Sequence, residues 1–157
     1  MALNIVLHQP EIPHNTGAIG RTCLMTGARL HLVRPFGFFL DEKSLIRSGL
    51  DYWHKLQVSE YDDFHDFANK NPDANFYLVE SGTNTAYTDV TFSPGDFLIF
   101  GSETTGLPMW LMEKYPDKII TIPMIGKERS LNLSVATGIV LYEALRQLKF
   151  PGLINGG

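Results

Sequence analysis

Residues 96–108 read Asp-Phe-Leu-Ile-Phe-Gly-Ser-Glu-Thr-Thr-Gly-Leu-Pro, and this stretch decides the fold class. Its first five residues form a short and almost wholly apolar run, which predicts a strand that is buried on both faces of a sheet. The run ends at Gly101, and Pro108 favours the first turn of a helix. A strand, a loop and a helix in succession are typical of α/β proteins with a parallel sheet.

The same succession recurs on both sides of this stretch. Pro10 and Pro13 end the first apolar run, and Asn15-Thr16-Gly17 predicts a cap and a turn before a helix. The predicted strands span residues 3–7, 30–33, 75–79, 96–100 and 118–122, and the predicted helices span residues 17–26, 41–48, 61–70, a stretch from 108, and 131–149. These elements predict a single α/β domain over residues 1–157, with a mostly parallel sheet and helices on both faces.

The last predicted helix, residues 131–149, is apolar almost all round. A helix of this kind is buried on more than one face. Because a chain of 157 residues has only a small core of its own, the second face predicts contact with a partner subunit.

Charge is distributed unevenly along the chain. The formal net charge of −4 argues against a nucleic-acid partner, because proteins that bind nucleic acids usually carry a basic patch. Residues 1–57 carry six basic and four acidic groups, residues 58–117 carry two and eleven, and residues 118–157 carry five and two. The two basic ends can bind phosphates if they meet on one face, with the acidic helix around Asp62–Asp66 pointing away from that face.

Composition also bears on the compartment. The single cysteine, Cys23, cannot form an intrachain disulfide, which favours a reducing environment. No apolar run reaches the ~18 residues of a membrane span, and the first residues lack the pattern of a signal peptide. The five histidines show no metal-ligand spacing, so we expect a cytoplasmic protein with neither a membrane nor a metal partner.

The first candidate ligand loop is residues 100–108, because ligands of parallel sheets lie beyond the carboxyl ends of the strands. Gly101 allows a ligand to approach the backbone, Gly106 allows a tight bend, and Glu103 places a carboxylate between them. The loop lacks the Lys and Ser/Thr of a P-loop, and the chain has no GxGxxG dinucleotide motif. A plain strand-to-helix turn with a solvated glutamate explains the loop equally well.

The second candidate loop, residues 122–134, joins a strand to the long helix. The residues that can cap this helix are Ser130, Asn132 and Ser134. The residues that could instead form the apolar walls of a ligand site are Ile122, Met124 and Leu131.

The third candidate loop, residues 15–21, leads into the first helix. Arg21 falls one turn after Gly17, beside the helix N-terminus, where an arginine and free N–H groups would bind an anion. The plain alternative is a surface arginine on a capped helix.

In this order, the three loops resemble the SPOUT superfamily of RNA methyltransferases. The matching motifs are Asn15-x-Gly17-x-x-x-Arg21, Phe100-Gly101-x-Glu103-x-x-Gly106-Leu107-Pro108, Ile122-Pro123-Met124 and Ser130-Leu131-Asn132-Leu133-Ser134. Three further motifs are most similar to the branch that methylates the ribose 2′-oxygen of the wobble nucleotide, cytidine or uridine 34, in leucine tRNAs. They are Glu11-Ile12-Pro13-x-Asn15-Thr16-Gly17, Gly49-Leu50-Asp51-Tyr52 and Tyr142-Glu143-Ala144-x-Arg146-Gln147. The resemblance extends from Ile5 to about Gly152.

This resemblance implies an α/β fold whose C-terminal part forms a deep trefoil knot, which general rules of chain topology would not predict. It implies a homodimer, which would explain the apolar last helix. It also implies that S-adenosylmethionine binds in the knot. The cofactor-binding residues that it implies are Leu78, Gly101, Ile122, Met124, Ser130 and Leu131.

The implied reaction is an in-line displacement, in which a ribose 2′-oxygen attacks the methyl carbon of the sulfonium donor. The implied catalytic residues are Arg21, Asn15, Glu103 and Asn132. Because the guanidinium of Arg21 stays protonated at neutral pH, we expect it to hold a phosphate and stabilise the developing oxyanion rather than act as a base. The residues expected to bind tRNA are Arg34, Lys43, Arg47, Lys127, Arg129, Tyr142 and Arg146.

Three other interpretations remain open. The chain could methylate another tRNA or rRNA position, or it could be an RNA-binding module that has lost catalysis. The presence of Arg21, Glu103 and Asn132 argues against such a loss. A nucleotide-binding enzyme of Rossmann-like type is disfavoured, because the chain lacks GxGxxG.

Overall fold

The computed structural model describes residues 1–38, 43, 47, 51–126 and 130–154. Within these residues, one sheet contains the strands β1 (Asn4–His8), β2 (Arg29–Val33), β3 (Val58–Tyr61), β4 (Phe76–Val79), β5 (Phe97–Phe100) and β6 (Ile119–Ile120). The α-helices are α1 (Pro13–Thr26), α2 (Phe64–Lys70), α3 (Met109–Lys114) and α4 (Leu133–Gln147). Two short 3₁₀ turns are Trp53–Lys55 and Pro116–Lys118.

All neighbouring strands run parallel, in the order β3-β2-β1-β5-β4-β6. The stretch that decides the fold class supplies β5, a central strand that pairs with β1 on one side and β4 on the other. The chain therefore builds one half of the sheet outward from β1 and the other half around β5. Strand order reverses between these two strands, and the crevice beyond such a point is where parallel sheets bind ligands.

The sheet is covered by helices on both faces, as predicted. Side chains alternate along β1, so that Ile5 and Leu7 pack towards α1 and α4, whereas Val6 packs towards α2 and α3. The first cluster includes Ile19, Cys23, Leu98, Val140 and Leu141, and the second includes Phe64, Phe67, Leu78, Ile99 and Leu111. Cys23 is fully buried, which confirms that this cysteine belongs to the core, and burial raises the pKa of its thiol to about 12.

Strand β3 is absent from the predicted elements, and the predicted helix 61–70 begins late, at Phe64. Tyr61 ends β3 instead of opening the helix. The strand lies at the edge of the sheet and has exposed Ser59 and Glu60 at its centre, so it lacks the continuous apolar run of a buried strand. Asp63 caps α2, because its side chain accepts a hydrogen bond of 2.7 Å from the Asp66 N–H.

Helix α1 begins at Pro13, four residues before the predicted start. Proline suits the first helical position, because the N–H that it lacks would have no partner there and its φ is already helical. Ile12 occupies the cap position without a side-chain hydrogen bond. The prediction that Asn15-Thr16-Gly17 forms a cap and turn was wrong, and Asn15 lies inside the helix with its amide available for other partners.

Helix α4 begins at Leu133, and Asn132 is its cap, as the sequence allowed. Asp41 and Ser48, the ends of the helix predicted over 41–48, lie outside the described residues, whereas Lys43 and Arg47 are helical and exposed. In the part of the chain that the structure describes, every helix is too short or too polar to cross a bilayer.

Candidate active site

A cavity of about 440 Å³ lies beyond the carboxyl ends of β4, β5 and β6. Four segments surround it: the start of α1, the residues after β4, the loop after β5, and the chain between β6 and α4. Its polar lining residues include Asn15, Glu80, Glu103, Thr105, Ser130 and Asn132. The three loops chosen from the sequence therefore meet at one site.

The loop after β5 folds back on itself at Gly101. A Cβ atom at this position would lie 2.1 Å from the backbone carbon of Gly106 and 2.3 Å from the nitrogen of Leu107. The Gly106 N–H donates a 3.0 Å hydrogen bond to the carbonyl of Ser102, and Gly106 has a φ of +69°. Gly101 does line the cavity, but the group that requires a glycine there is the loop's own backbone.

Glu80, directly after β4, also holds the loop after β5 in place. Its Oε2 accepts a 2.8 Å hydrogen bond from the Leu107 N–H, and its Oε1 accepts one of 3.0 Å from the Ser81 N–H. A Cβ atom on Gly106 would lie 2.3 Å from Glu80 Oε2, and the φ of +69° favours glycine there whether or not the Glu80 side chain moves. Sequence reasoning missed Glu80, although a charged residue directly after an apolar strand was the available signal.

The carboxylate of Glu103 lies at the N-terminus of α1. Its Oε1 accepts a 2.8 Å hydrogen bond from the Glu11 N–H, and its Oε2 accepts one of 2.8 Å from the Ile12 N–H. Oε2 also accepts one of 3.2 Å from the Asn15 amide. The carboxylate thus supplies the cap that α1 lacks within its own sequence, and the positive end of the helix dipole favours its charge.

Glu11 and Thr104 form a second set of hydrogen bonds between the loops after β1 and β5. Here the loop after β1 supplies the carboxylate and the loop after β5 supplies the donors. The Glu11 carboxylate accepts hydrogen bonds from the Thr104 hydroxyl, at 2.6 Å, and from the Thr104 N–H, at 3.1 Å. These bonds hold the pKa of Glu11 below its ordinary value. The two loops that flank the point of reversed strand order are therefore bound to each other from both sides.

Asn132 links Asn15 to the start of α4. Its amide nitrogen donates a 3.1 Å hydrogen bond to Asn15 Oδ1, and its own Oδ1 accepts bonds from the N–H groups of Ser134 and Val135. A continuous network consequently links Glu103, Asn15 and Asn132. Three of the four residues expected to be catalytic are thus linked, although Asn15 is 88 residues from Glu103 and 117 residues from Asn132 in the sequence.

Most of the expected cofactor residues share the cavity. Those that line it are Gly101, Ile122, Met124, Ser130 and Leu131. Leu78 does not line it, because its side chain is fully buried in the core on the other face of the sheet. The neighbouring residues Val79 and Glu80 line the cavity in its place.

Arg21, the fourth expected catalytic residue, lies on the exposed side of α1 and outside the cavity lining. Its guanidinium carbon is 6.0 Å from the centre of the Tyr52 ring. Among the described residues, no carboxylate oxygen lies within 4.0 Å of its nitrogens, in contrast to Arg34 and Arg146. Within the described residues the positive charge of this side chain therefore has no carboxylate partner, and Arg21 lies six positions, a little under two turns, after Asn15 on α1.

The residues expected to bind tRNA fall into three groups. Lys43, Arg47 and Tyr142 are exposed, whereas Lys127 and Arg129 lie outside the described residues. Arg34 forms ion pairs with Glu60 at 2.5 Å and Asp62 at 3.6 Å. Arg146 pairs with Glu143 at 2.7 Å, so these two arginines are already partly neutralised.

The sequence pattern of the SpoU rRNA Methylase family matches residues 2–142. The chain belongs to this family. It is 47% identical over 154 residues to the tRNA (cytidine(34)-2′-O)-methyltransferase of Escherichia coli strain K12, a match that covers 97% of this chain and 98% of the relative. The family resemblance and the expected methyltransferase activity are therefore confirmed.

Solved structures agree with this family assignment. The structure described as "Structural insights into the 2-OH methylation of C/U34 on tRNA" matches with a TM-score of 0.87 and 40% identity, over 94% of this chain and 97% of the other. The SpoU methyltransferase AviRb from Streptomyces viridochromogenes, in complex with AdoMet, matches with a TM-score of 0.76 and 28% identity, over 94% and 61%. Within the described residues no three His, Cys, Asp or Glu side chains cluster as metal ligands do.

Proposed function

We propose that this chain transfers a methyl group from S-adenosylmethionine to the ribose 2′-oxygen of tRNA nucleotide 34. The observation that carries the proposal is the meeting of Asn15, Glu103 and Asn132 beside one cavity, in a chain that matches named enzymes of this activity over nearly its whole length. Nucleotide 34 and tRNA are the substrate in the names of the two most informative relatives.

The cavity fits the cofactor in size and chemistry. A volume of about 440 Å³ falls in the range of small-molecule sites, and such sites combine apolar walls with a few placed polar groups. Ile122, Met124 and Leu131 would supply apolar contacts, and the backbone at Gly101 and Ser130 would supply hydrogen bonds. The cofactor, when bound, supplies an electrophilic methyl group on a sulfonium.

Arg21 would act on the substrate side. Its guanidinium stays protonated at neutral pH, so it holds the phosphate next to the target ribose and stabilises negative charge on the attacking oxygen. The proton of the 2′-hydroxyl passes to that phosphate or to a water. Asn15 and Asn132 orient the reacting groups. Glu103 acts by holding Asn15, and through it Asn132, together with the start of α1.

The tRNA would lie across exposed basic residues. Lys43 and Arg47 are exposed, and Lys127 and Arg129 follow the cavity residue Met124 in sequence. Arg34 and Arg146 would have to exchange carboxylate partners for phosphates. Affinity for tRNA should fall steeply with salt, by about one logarithmic unit of slope for each phosphate contact, and a flat response would contradict this surface.

The assembly would be a cytoplasmic homodimer of single-domain subunits, each with a trefoil knot formed by the C-terminal part. Val135 and Tyr142 lie two turns apart on one side of α4 and are 50% and 48% exposed. An apolar stripe on a helix favours contact with another subunit. Light scattering should give a dimer for the native chain, and Val135→Asp should shift it towards the monomer.

The decisive experiment is nucleoside mass spectrometry of tRNA. In a strain lacking this protein, the 2′-O-methyl mark at nucleotide 34 should disappear from leucine tRNAs, and the purified chain with S-adenosylmethionine should restore it. Restoration at another tRNA or rRNA position would replace the proposed substrate. Binding of tRNA without any methyl transfer would instead identify an RNA-binding module without catalysis.

Arg21→Ala tests the assignment within the site. It should lower methyl transfer by about 10²- to 10³-fold, which is typical of losing one group that stabilises an oxyanion. Cofactor affinity should be unchanged, because Arg21 does not line the cavity. Near-normal transfer by this variant, with normal tRNA binding, would remove Arg21 from the mechanism.

A further inference from the structure

Tyr52 lies directly against α1 beside Arg21. Its hydroxyl donates a hydrogen bond to the carbonyl of Gly17, in the second turn of the helix. Its ring faces the Arg21 guanidinium, whose carbon is 6.0 Å from the ring centre, within the range of cation–π contacts. One side chain therefore contacts the helix backbone and the expected catalytic residue four positions later.

The segment that carries Tyr52 is packed against the same helix. A Cβ atom at Gly20 would lie 2.9 Å from the Leu56 side chain and 3.0 Å from the Trp53 ring. Gly20 thus allows residues 53–56 to approach α1 more closely than any other residue would. With Trp53 and Leu56 held there, the Tyr52 ring has a defined position relative to Arg21.

The chemistry of this contact differs from that of the two paired arginines. Arg34 and Arg146 contact carboxylates, which orient the guanidinium but neutralise its charge. Desolvation by burial raises the pKa of Tyr52, so its phenol remains protonated at neutral pH and its ring uncharged. An uncharged ring can hold a guanidinium without competing with a phosphate for it.

We propose that Tyr52 is a positioning residue for Arg21, which keeps the guanidinium at the α1 edge of the site while leaving its charge available for the substrate. This inference rests on the proposed role of Arg21. Long side chains on a helix point back towards its N-terminus, so the ring holds the guanidinium on the side where Asn15 and the cavity lie. Tyr52 touches neither cofactor nor reacting atoms, so its effect passes entirely through Arg21.

The test compares Tyr52→Leu with Tyr52→Phe in single-turnover methyl transfer to tRNA. Tyr52→Leu removes both ring and hydroxyl, and should lower the transfer rate about 5- to 30-fold, as expected for a cation–π contact. Tyr52→Phe keeps the ring and should restore most of that loss. Cofactor affinity, measured by calorimetry, should be unchanged in both variants, since Tyr52 does not line the cavity.

A double-variant cycle separates positioning from general destabilisation. In an Arg21→Ala background, Tyr52→Leu should cause no further loss of transfer rate, because its effect acts through Arg21. Tyr115→Leu is the matched control: it removes an aromatic ring beside Lys114, on the other face of the sheet, and should leave the transfer rate unchanged.

Three outcomes would overturn one or both of two claims, the positioning role of Tyr52 and the proposed mechanism. Equal rates for Tyr52→Leu and the native chain, with Arg21→Ala inactive, would overturn the positioning role and leave the proposed function intact. An additive loss in the Arg21→Ala background would also overturn the positioning role. Near-normal transfer by Arg21→Ala itself would overturn the proposed mechanism, and the role of Tyr52 with it.

Discussion

Two polar networks join distant parts of this chain, and they differ in what surrounds them. The cavity network consists of Glu103, Asn15 and Asn132, and it lies beside open space. The core network consists of His31, Tyr61, Asn4 and Asn71, and it lies among Phe67 and Phe97 on the other face of the sheet. The first can therefore act on a ligand, whereas the second can act only on the fold.

The core network is internally satisfied. Asn4 uses its amide nitrogen on the carbonyl of Gly95, so we assign its Oδ1 as the acceptor of the His31 Nε2–H, at 2.9 Å. The Tyr61 hydroxyl then donates to His31 Nδ1, at 2.8 Å, and accepts from the Asn71 amide, at 3.2 Å. Every described member has a partner, and His31 is held as a neutral ring.

This difference predicts which property a substitution in each network should change. Breaking the cavity network should reduce methyl transfer more than its cost in stability explains. Breaking the core network should reduce stability, or change its pH dependence, at unchanged methyl transfer. Four substitutions or conditions test this separation, and they follow from the largest expected effect to the smallest.

Gly101→Ala should have the largest effect, because the new methyl group would overlap the backbone at Gly106 and Leu107. The loop that carries Glu103 cannot then close. We expect a loss of about 3 kcal/mol or more in the free energy of unfolding and at least ~10²-fold in methyl transfer. Urea unfolding and a methyl-transfer assay measure the two effects, and calorimetry measures cofactor binding.

Gly126→Ala is the control for this substitution, because no atom of the described residues lies within 4 Å of the position that its Cβ would take. It should leave stability and transfer close to native. A Gly101→Ala variant that binds cofactor normally would show that the tight turn is dispensable for the cavity.

Lowering the pH should destabilise the core network through His31. Desolvation, with a smaller contribution from the charge of Arg29, lowers the pKa of His31 to about 4 in the folded chain. The unfolded chain, with a pKa near 6.5, binds the proton more readily. The stabilisation is therefore complete above pH ~6.5 and is lost as the pH falls towards 4, by up to about 3 kcal/mol.

Urea unfolding at pH 7 and pH 4.5 measures this loss. His31→Leu should flatten the pH dependence, leaving the smaller contribution of His8, whose pKa burial also lowers. Exposed His54 provides the control, because His54→Gln should leave the native dependence intact. If the unfolding free energy of His31→Leu fell with pH as steeply as that of the native chain, the acid sensitivity would have to come from other groups in the fold.

Glu103→Gln should affect function more than stability. An amide in place of the carboxylate cannot accept from both the Glu11 and Ile12 N–H groups, so one backbone donor loses its partner. We expect a cost of about 2 kcal/mol in unfolding free energy and at least ~10-fold in transfer rate.

The companion variant is Glu11→Gln, which keeps an acceptor for Thr104 and should cost less in both measurements. If Glu103→Gln transferred methyl groups at the native rate, the cavity network would have no role in methyl transfer.

Tyr61→Phe should have the smallest effect. It leaves His31 Nδ1 without its donor inside the core, at a cost of about 1–2 kcal/mol in unfolding free energy. Methyl transfer at a temperature well below the melting transition should equal the native rate. A reduced rate under those conditions would mean that the two networks are coupled through the sheet.

Much of the fold could be predicted, because the apolar composition of runs such as 96–100 and 30–33 indicates that they are buried strands. Strand β3 could not, because an edge strand with polar Ser59 and Glu60 has no such run. The start of α1 was misplaced, since a proline can end a strand or open a helix, and local rules do not show that Pro13 does the second.

For the site, the residues were predictable and their partners were not. Glu103, Asn15 and Asn132 were all chosen from loop motifs, but the motifs did not show which groups Glu103 contacts. The structure shows that the Glu103 oxygens accept hydrogen bonds from Glu11, Ile12 and Asn15. Glu80 and Tyr52 were assigned no role, because their partners lie 27 and 35 residues away.

By itself, the sequence determined the parallel α/β class, the loops that carry the site and the family of methyltransferases. These follow from local properties: apolar runs that must be buried, glycines that permit turns, and motifs in a fixed order. Only the tertiary structure decided that Gly101 serves its own loop, that Glu103 caps α1 and that Tyr52 holds Arg21. Each of these depends on which distant segments pack together, and packing is a property of the whole chain that no local stretch contains.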